Sequence, residues 1–132
     1  MSTDKKHIRH GIGSVRPYIY GYLDLPDFVA QVFGAVEVER AEGGSDGFHV
    51  ESRIGDSMIV METGKDWGDQ ETTRASIYVY VDDIDAAYNK AIELGATSIA
   101  KPEDKPYQER SAGVKDTFGN TWWISTYTGL ST

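Results

Sequence analysis

Apolar and polar side chains alternate along several short segments of this sequence, which is the pattern of half-buried β-strands. Residues 35–41 alternate small apolar side chains with glutamate. Residues 48–54, FHVESRI, alternate in the same way and place His49, Glu51 and Arg53 together on the polar side. The loop between the two segments is polar and rich in glycine, so together they predict a β-hairpin.

Two further alternating segments, residues 15–22 and 74–81, are rich in tyrosine. Each predicts a strand, because successive side chains of a strand point to opposite faces. One face of each predicted strand is therefore aromatic. The residues on these faces are Tyr18, Tyr20 and Tyr22 in the first segment and Ser76, Tyr78 and Tyr80 in the second.

Apolar side chains at helical spacing predict two short helices. The first begins after Asp24, which can cap its N-terminus, and ends at Gly34. The second runs from about Ile84 to Leu94. Asp82-Asp83 caps its beginning, and Gly95 stops it.

The C-terminal part of the chain predicts a second hairpin. Glu109 to Lys115 forms one strand, and Asp116 to Asn120 supplies turn residues that tolerate left-handed backbone angles. Thr121 to Tyr127 is a run of aromatic and β-branched residues that suits a well-buried strand. Before this hairpin, residues 97–100 predict a short strand, and residues 101–106 predict a loop because they are rich in proline and charge.

In the first half, Gly55-Asp56 predicts a turn and Ser57 to Glu62 predicts a further strand. The predicted elements therefore follow the order strand, helix and three strands, and this order occurs twice. Residues 33–35 resemble 94–96, and residues 54–57 resemble 118–121, which supports an internal repeat. We therefore predict an α+β fold in which two βαβββ modules form curved mixed sheets around a cavity. The predicted parts are a flexible N-terminal arm at residues 1–14 and a single domain at 15–132, with modules at 15–63 and 74–128.

Composition and charge restrict the possible partners. The 132 residues include 13 basic and 21 acidic side chains, which gives a formal charge of −8. This charge argues against nucleic acid and anionic membranes, and it favours a cationic small molecule. The absence of cysteine excludes disulfides, thiolate nucleophiles and zinc–thiolate sites. No apolar run approaches the ~20 residues that span a bilayer, and the charged N-terminus lacks an apolar signal core, so we expect a cytoplasmic protein.

Several short segments, taken in their order and spacing, resemble the glyoxalase / bleomycin-resistance / extradiol-dioxygenase superfamily, also called the vicinal oxygen chelate proteins. The resemblance implies the two-module fold and a ligand cavity. It also implies a homodimer, because the cavity of that family often forms together with a second chain. The matching segments are residues 32–35, 54–57, 80–83, 94–96 and 113–120.

Metal-dependent members of that superfamily hold one divalent ion with four side chains, usually histidine or glutamate, from the first and last strands of each half. In the second half, those positions correspond to Ser76 and Trp123. In the first half they fall near Val15–Pro17 and at Ile59 or Val60. None of these side chains is an adequate ligand for a divalent ion. We therefore predict a cavity with no metal and no cofactor.

The histidines allow other chemistry. His7 and His10 lie in the predicted arm. His49 lies beside Glu51 and can pair with Glu62 across the hairpin that residues 48–54 form with Ser57 to Glu62. One histidine and two carboxylates can bind iron, but these residues lie on the wrong strands for the family's site. His49 could also act as a general base oriented by Glu51. The candidate catalytic residues are His49, Glu51 and Glu109.

Aromatic rings with a few polar groups suit a planar or cationic organic ligand. Arg110 can additionally clamp a carboxylate or phosphate. The alternative is that the rings fill the sheet interface with their hydroxyls satisfied locally, and that Glu109 and Arg110 form surface ion pairs. The predicted ligand-binding residues are Tyr18, Tyr20, His49, Arg53, Tyr78, Tyr80, Arg110 and Trp123.

The sequence thus predicts a protein that binds a small organic ligand in an aromatic cleft without a metal ion, rather than an enzyme. One alternative is a divalent-metal-dependent lyase, isomerase or dioxygenase of the same superfamily. Another is metal-free acid/base catalysis by His49 with Glu51 or Glu109.

Overall fold

The secondary structure follows the predicted repeat. The structure is a computed structural model and describes residues 6–44 and 46–129. None of the helices in these residues is both long and apolar enough to cross a lipid bilayer. The elements are β1 (Tyr18–Tyr22), α1 (Leu25–Phe33), β2 (Val36–Glu42), β3 (Phe48–Ile54), β4 (Ser57–Gly64), β5 (Ser76–Tyr80), α2 (Ile84–Glu93), β6 (Thr97–Lys105), β7 (Glu109–Lys115) and β8 (Thr121–Tyr127).

The eight strands form two four-stranded mixed sheets. Sheet A has the order β1-β4-β3-β2, and sheet B has the order β5-β8-β7-β6. In each sheet the first strand of the module pairs in parallel with its last strand, and the remaining neighbours are antiparallel. Each sheet together with its helix is one βαβββ module, so the predicted α+β fold of two modules is confirmed.

One apolar core extends through both modules. The apolar stripes of α1 and α2 are buried in it, because burial removes their side chains from water. The rings of Phe28 and Phe33 lie with their centroids 6.0 and 5.1 Å from the ring centroid of Trp122 on β8, so α1 packs against the sheet of the other module. The helices therefore cover one face of each sheet. We call the opposite face the open face.

Hydrogen bonds also join the two modules. Asp24 was predicted to cap α1, but its side chain makes no capping hydrogen bond. Its backbone is helical (φ −80°, ψ −8°), whereas a capping residue has an extended backbone. The carboxylate instead accepts from the Thr117 hydroxyl, 2.9 and 3.0 Å from its two oxygens. In α2 the predicted cap is present, since Asp83 accepts from the backbone N–H of Ala86 at 3.1 Å.

A buried aspartate organises the turn between β7 and β8. Asp116 Oδ1 accepts from the backbone N–H groups of Phe118, Gly119 and Asn120 at 2.9–3.0 Å. Its Oδ2 accepts from the Asn120 amide and the Trp122 indole, each at 2.9 Å. The Asn120 amide also donates to the carbonyl of Tyr20 at 2.7 Å. The predicted turn therefore connects the end of sheet B to β1 of the first module.

Strand β6 is longer than predicted. Residues 101–106 were predicted to form a loop, but the strand continues to Lys105 and includes Pro102. Proline is tolerated because β6 is an edge strand with β7 as its one neighbour, so it does not need every N–H for pairing. Register shifts on both sides of Ala100 adjust the pairing with β7.

Candidate functional site

Five residues on the open face of sheet B form one hydrogen-bonded group, the Glu109 cluster: Tyr78, Tyr80, Glu109, Ser111 and Ser125. Tyr78 and Tyr80 of β5 each donate a hydroxyl hydrogen bond to the carboxylate of Glu109 on β7, one to each oxygen. Strand β8 lies between them and contributes Ser125, which donates to the Tyr78 oxygen at 2.8 Å. The hydroxyls of Ser125 and Ser111 are 2.6 Å apart.

In the Glu109 cluster, a buried carboxylate lies next to solvent-exposed rings. Glu109 is 8% exposed, whereas Tyr78 and Tyr80 are 49% and 60% exposed. The hydrogen bonds from Tyr78 and Tyr80 lower the pKa of Glu109, and the hydrogen bond to Glu109 raises the pKa of Tyr80 to about 12. At neutral pH the carboxylate is therefore charged and the Tyr80 hydroxyl is protonated.

Trp123 extends the same face. Its half-buried ring lies across Gly113, where a Cβ atom would come within 2.6 Å of the ring. Its indole N–H donates to the Ser76 hydroxyl at 3.2 Å. Ser76 and Trp123 are the two positions of the second module at which the family resemblance implies metal ligands. Since they bond to each other and Trp123 offers no ligand atom, they do not fit a divalent ion.

The open face of sheet A carries a histidine and several carboxylates. His49 Nδ1 lies 2.8 Å from Glu62 Oε1, and the Tyr18 hydroxyl donates to the same oxygen at 3.0 Å. Burial, followed by the hydrogen bond to Glu62, raises the pKa of Tyr18 to about 12. The predicted pairing of His49 with Glu62 across the hairpin is confirmed. Glu51 was expected to orient His49, but its nearer oxygen lies 3.8 Å from His49 Nε2.

The segment before β1 lies on the open face of sheet A. Arg16 Nη1 donates to Glu51 Oε1 at 2.6 Å, and the same guanidinium donates to the carbonyls of Gly13 and Ile12 at 2.8 and 2.9 Å. Arg16 therefore holds the preceding loop against the sheet. It also neutralises Glu51, which is why Glu51 tolerates burial.

Three residues on this side of the molecule have the composition of a metal site. The potential ligand atoms of His10, Glu39 and Glu51 all lie within 4.8 Å of one another. Arg9, however, hydrogen-bonds Glu39 and lowers the pKa of that carboxyl to about 2, and Arg16 pairs with Glu51. Both carboxylates are thus already balanced by a guanidinium, and a cation would have to displace it.

A groove of about 780 Å³ runs between the two modules. The end of α1, the β3–β4 turn, the edge strand β5 and α2 line it, mostly with apolar side chains such as Phe33, Ile59 and Val79. Tyr78 and Tyr80 also line the groove, so the groove and the Glu109 cluster meet along β5. The sequence predicted a cavity enclosed by the sheets, but no local pattern indicated this groove or its lining residues, because the groove depends on how the modules pack.

Arg110 and Arg53 lie apart from the Glu109 cluster. Arg110 points to the face of β7 opposite Glu109, where it binds Asp85 of α2 at 3.0 Å and Asp104 at 3.2 Å. Arg53 donates to the carbonyl of Gly55 at 3.0 Å, at the β3–β4 turn. The ion pairs of Arg110 match the alternative of surface pairing considered above.

Tyr20 belongs to sheet A and packs between other aromatic rings. The centroid of its ring is 5.6 Å from that of Tyr18 and 5.4 Å from that of Trp67.

The sequence analysis did not identify two residues of the Glu109 cluster, Ser111 and Ser125. Strand alternation places Ser111 on the face of Glu109 and Ser125 on the face of Trp123, and this signal could have identified them.

Known proteins share both sequence and fold with this chain. Residues 25–124 match the Glyoxalase/Bleomycin resistance protein/Dioxygenase superfamily. An uncharacterized protein of Mycobacterium bovis is 31% identical over 107 residues, which cover 73% of this chain and 70% of that protein. An uncharacterized protein of Mycobacterium tuberculosis is also 31% identical over 107 residues, and the match covers 62% of its length.

Solved structures show the same architecture at lower sequence identity. A glyoxalase/bleomycin resistance protein/dioxygenase family enzyme from Burkholderia phytofirmans PsJN has a TM-score of 0.67 and 23% identity over 83% of this chain and 94% of its own. The fosfomycin resistance protein FosX from Listeria monocytogenes, complexed with Mn(II) and sulfate, has a TM-score of 0.66 and 16% identity. The match covers 88% of this chain and 90% of FosX. The chain therefore belongs to the glyoxalase/bleomycin resistance protein/dioxygenase superfamily.

Proposed function

We propose that this protein binds a small planar or cationic organic ligand, without a metal ion, at the Glu109 cluster and Trp123. The observation that carries the proposal is the buried, charged carboxylate of Glu109 beneath the half-exposed rings of Tyr78 and Tyr80. An aromatic ring attracts a cation to its face, and a nearby carboxylate adds a direct charge interaction. The overall charge of −8 acts in the same direction at longer range.

The alternative is a divalent-metal-dependent lyase, isomerase or dioxygenase. The structure of FosX from Listeria monocytogenes contains Mn(II), so the fold accommodates a metal in that relative. In the second module of this chain, the positions at which the family resemblance implies metal ligands hold Ser76 and Trp123, which bond to each other. We therefore favour a metal-independent site. Acid/base catalysis by His49, Glu51 or Glu109 is not needed for this function.

A homodimer is part of the proposal. Within one chain the aromatic side chains of both open faces are in contact with solvent, since Tyr18 is 51% exposed and Tyr80 is 60% exposed. We propose that Tyr18, Tyr20 and His49 of one copy complete the ligand cleft of another. Light scattering after size-exclusion chromatography should give twice the chain mass of 14.6 kDa. The cytoplasmic location stays a prediction.

The test is a thermal-shift screen with planar organic cations, followed by calorimetric titration of the compounds that raise the melting temperature. Tyr78→Ala and Trp123→Ala should each raise the Kd about tenfold or more, because each removes a ring face from the site. Treatment with EDTA should leave the Kd unchanged.

Ile99→Ala is the matched control, because Ile99 is an exposed apolar residue of the same sheet on β6. It should leave the Kd unchanged. Binding that EDTA abolishes, or binding that neither aromatic variant weakens, would contradict the proposal.

A further inference from the structure

The direction of every hydrogen bond in the Glu109 cluster is fixed by counting protons. An ionised carboxylate only accepts, so Tyr78 and Tyr80 must both donate to Glu109. Tyr78 has one hydroxyl proton, so its oxygen must accept from Ser125. Ser125 also has one proton, so it must accept from Ser111. All four hydroxyl protons of the cluster are thus used within it.

The polar atoms that remain for a ligand are therefore acceptors. They are the remaining lone pairs of the Glu109 carboxylate and of the tyrosine oxygens. In the part of the chain that the structure describes, no lysine, arginine or histidine pairs with Glu109; tyrosine hydroxyls are its side-chain partners. The cluster consequently has a net negative charge and unused acceptors next to two partly exposed tyrosine rings.

From this arrangement we infer that the cluster recognises organic cations that carry N–H groups, such as amidinium, guanidinium or protonated amines. The inference rests on the proposed function and specifies its ligand class. The flat face of an amidinium or guanidinium can lie on a tyrosine ring. Its N–H groups point outward in the plane of the cation and can donate to Glu109. A quaternary ammonium has no N–H group, so it can make the ring contact only. A carboxylate would be repelled by the charge of Glu109 and would find no free hydrogen-bond donor in the cluster.

Four compounds of similar size and ring content separate these possibilities. Calorimetric titration of the wild-type protein should compare benzamidine, which is a planar N–H cation, with benzamide, benzoate and phenyltrimethylammonium. We expect benzamidine to bind about tenfold or more tightly than each of the others, because charge-assisted hydrogen bonds distinguish it.

Variants then locate the interaction. Glu109→Gln keeps the shape of the side chain and removes the charge, and it should weaken benzamidine binding about tenfold or more. Glu103→Gln is the matched control, since Glu103 is an exposed glutamate on the neighbouring strand β6. It removes the same charge from the protein and should change the Kd less than about twofold. Circular dichroism should show that both variants are folded.

The outcomes distinguish this inference from the proposed function. If benzamide, benzoate or phenyltrimethylammonium binds as tightly as benzamidine, or if Glu109→Gln binds benzamidine normally, the inference is overturned. The proposed function then still holds if Tyr78→Ala weakens whichever compound binds. If none of the four compounds binds, the inference is overturned, and the thermal-shift screen with the aromatic variants decides the proposed function separately.

Discussion

Tyr80 and Glu109 are joined by a hydrogen bond that crosses strand β8. Tyr80 lies on the edge strand β5, and Glu109 lies on β7, two strands away. The bond forms because β5 runs parallel to β8, which places Tyr80 beside Ser125 on the open face. Each partner changes the acidity of the other, since Glu109 raises the pKa of Tyr80 and the tyrosines lower the pKa of Glu109.

Tyrosine ionisation should report this bond directly. In an ultraviolet titration, Tyr80 should ionise at about 12 rather than at its ordinary value of 10. Because its folded pKa is raised, the bond stabilises the folded state fully below pH 10, and this contribution is lost as the pH rises through about 12.

The Glu109→Gln variant should bring the ionisation of one tyrosine back toward 10. Tyr18, whose pKa is raised to about 12 chiefly by burial, should be unaffected and serves as the internal control. An unchanged titration curve for Glu109→Gln would show that Tyr80 is not bonded to this carboxylate.

Removing the Asp116 carboxylate should destabilise the fold strongly. Asp116→Ala removes five hydrogen bonds in a buried turn, three to backbone N–H groups and two to side chains. We expect the free energy of unfolding to fall by about 3 kcal/mol in urea denaturation. Asp56→Ala is the control, because Asp56 is exposed in the corresponding turn of the first module. Asp56→Ala should change the free energy of unfolding by no more than about 0.5 kcal/mol. If the two variants lose equal stability, Asp116 does not organise its turn.

Gly113 should be sensitive to a single methyl group. In Gly113→Ala the new Cβ would lie 2.6 Å from the Trp123 ring, so the ring must move. We expect a loss of about 1–3 kcal/mol in unfolding free energy and a change in tryptophan fluorescence. Gly44→Ala should have little effect, because a Cβ there has no neighbour within 4 Å. Normal stability of Gly113→Ala would mean that Trp123 does not rest on this strand.

Metal retention should be low. After soaking with nickel, zinc, manganese or iron(II) and desalting, mass spectrometry should detect far less than one metal ion per chain. The reason is that Arg9 and Arg16 already balance Glu39 and Glu51. In addition, Trp123, at a position where the family resemblance implies a metal ligand, donates its indole N–H to Ser76 and offers no ligand atom. Near-stoichiometric retention that His49→Ala abolishes would instead support the metal-dependent alternative.

Three strands were predicted with the correct ends. Phe48–Ile54, Glu109–Lys115 and Thr121–Tyr127 begin and end as the pattern indicated. The end of β6 was wrong because composition alone does not show that a strand lies at an edge, where Pro102 is acceptable. The prediction that Asp24 caps α1 was wrong because the Asp24 carboxylate accepts a hydrogen bond from Thr117 of the other module instead.

The candidate site was predicted only where local pairing determines it. The contact of His49 with Glu62 follows from the register of a hairpin, which the sequence indicates. The contact of Tyr78 with Glu109 depends on a long-range parallel pairing that no local pattern specifies. Arg110 was predicted in the same site as its neighbour Glu109, although adjacent residues in a strand point to opposite faces.

Pro102 has a consequence for how the protein behaves at high concentration. An exposed strand edge with free N–H and C=O groups can template strands from other chains and begin a fibre. At the outer edge of sheet B, Pro102 lacks an N–H group, and charged residues lie on both sides of it in β6. That edge therefore resists the addition of strands from other chains.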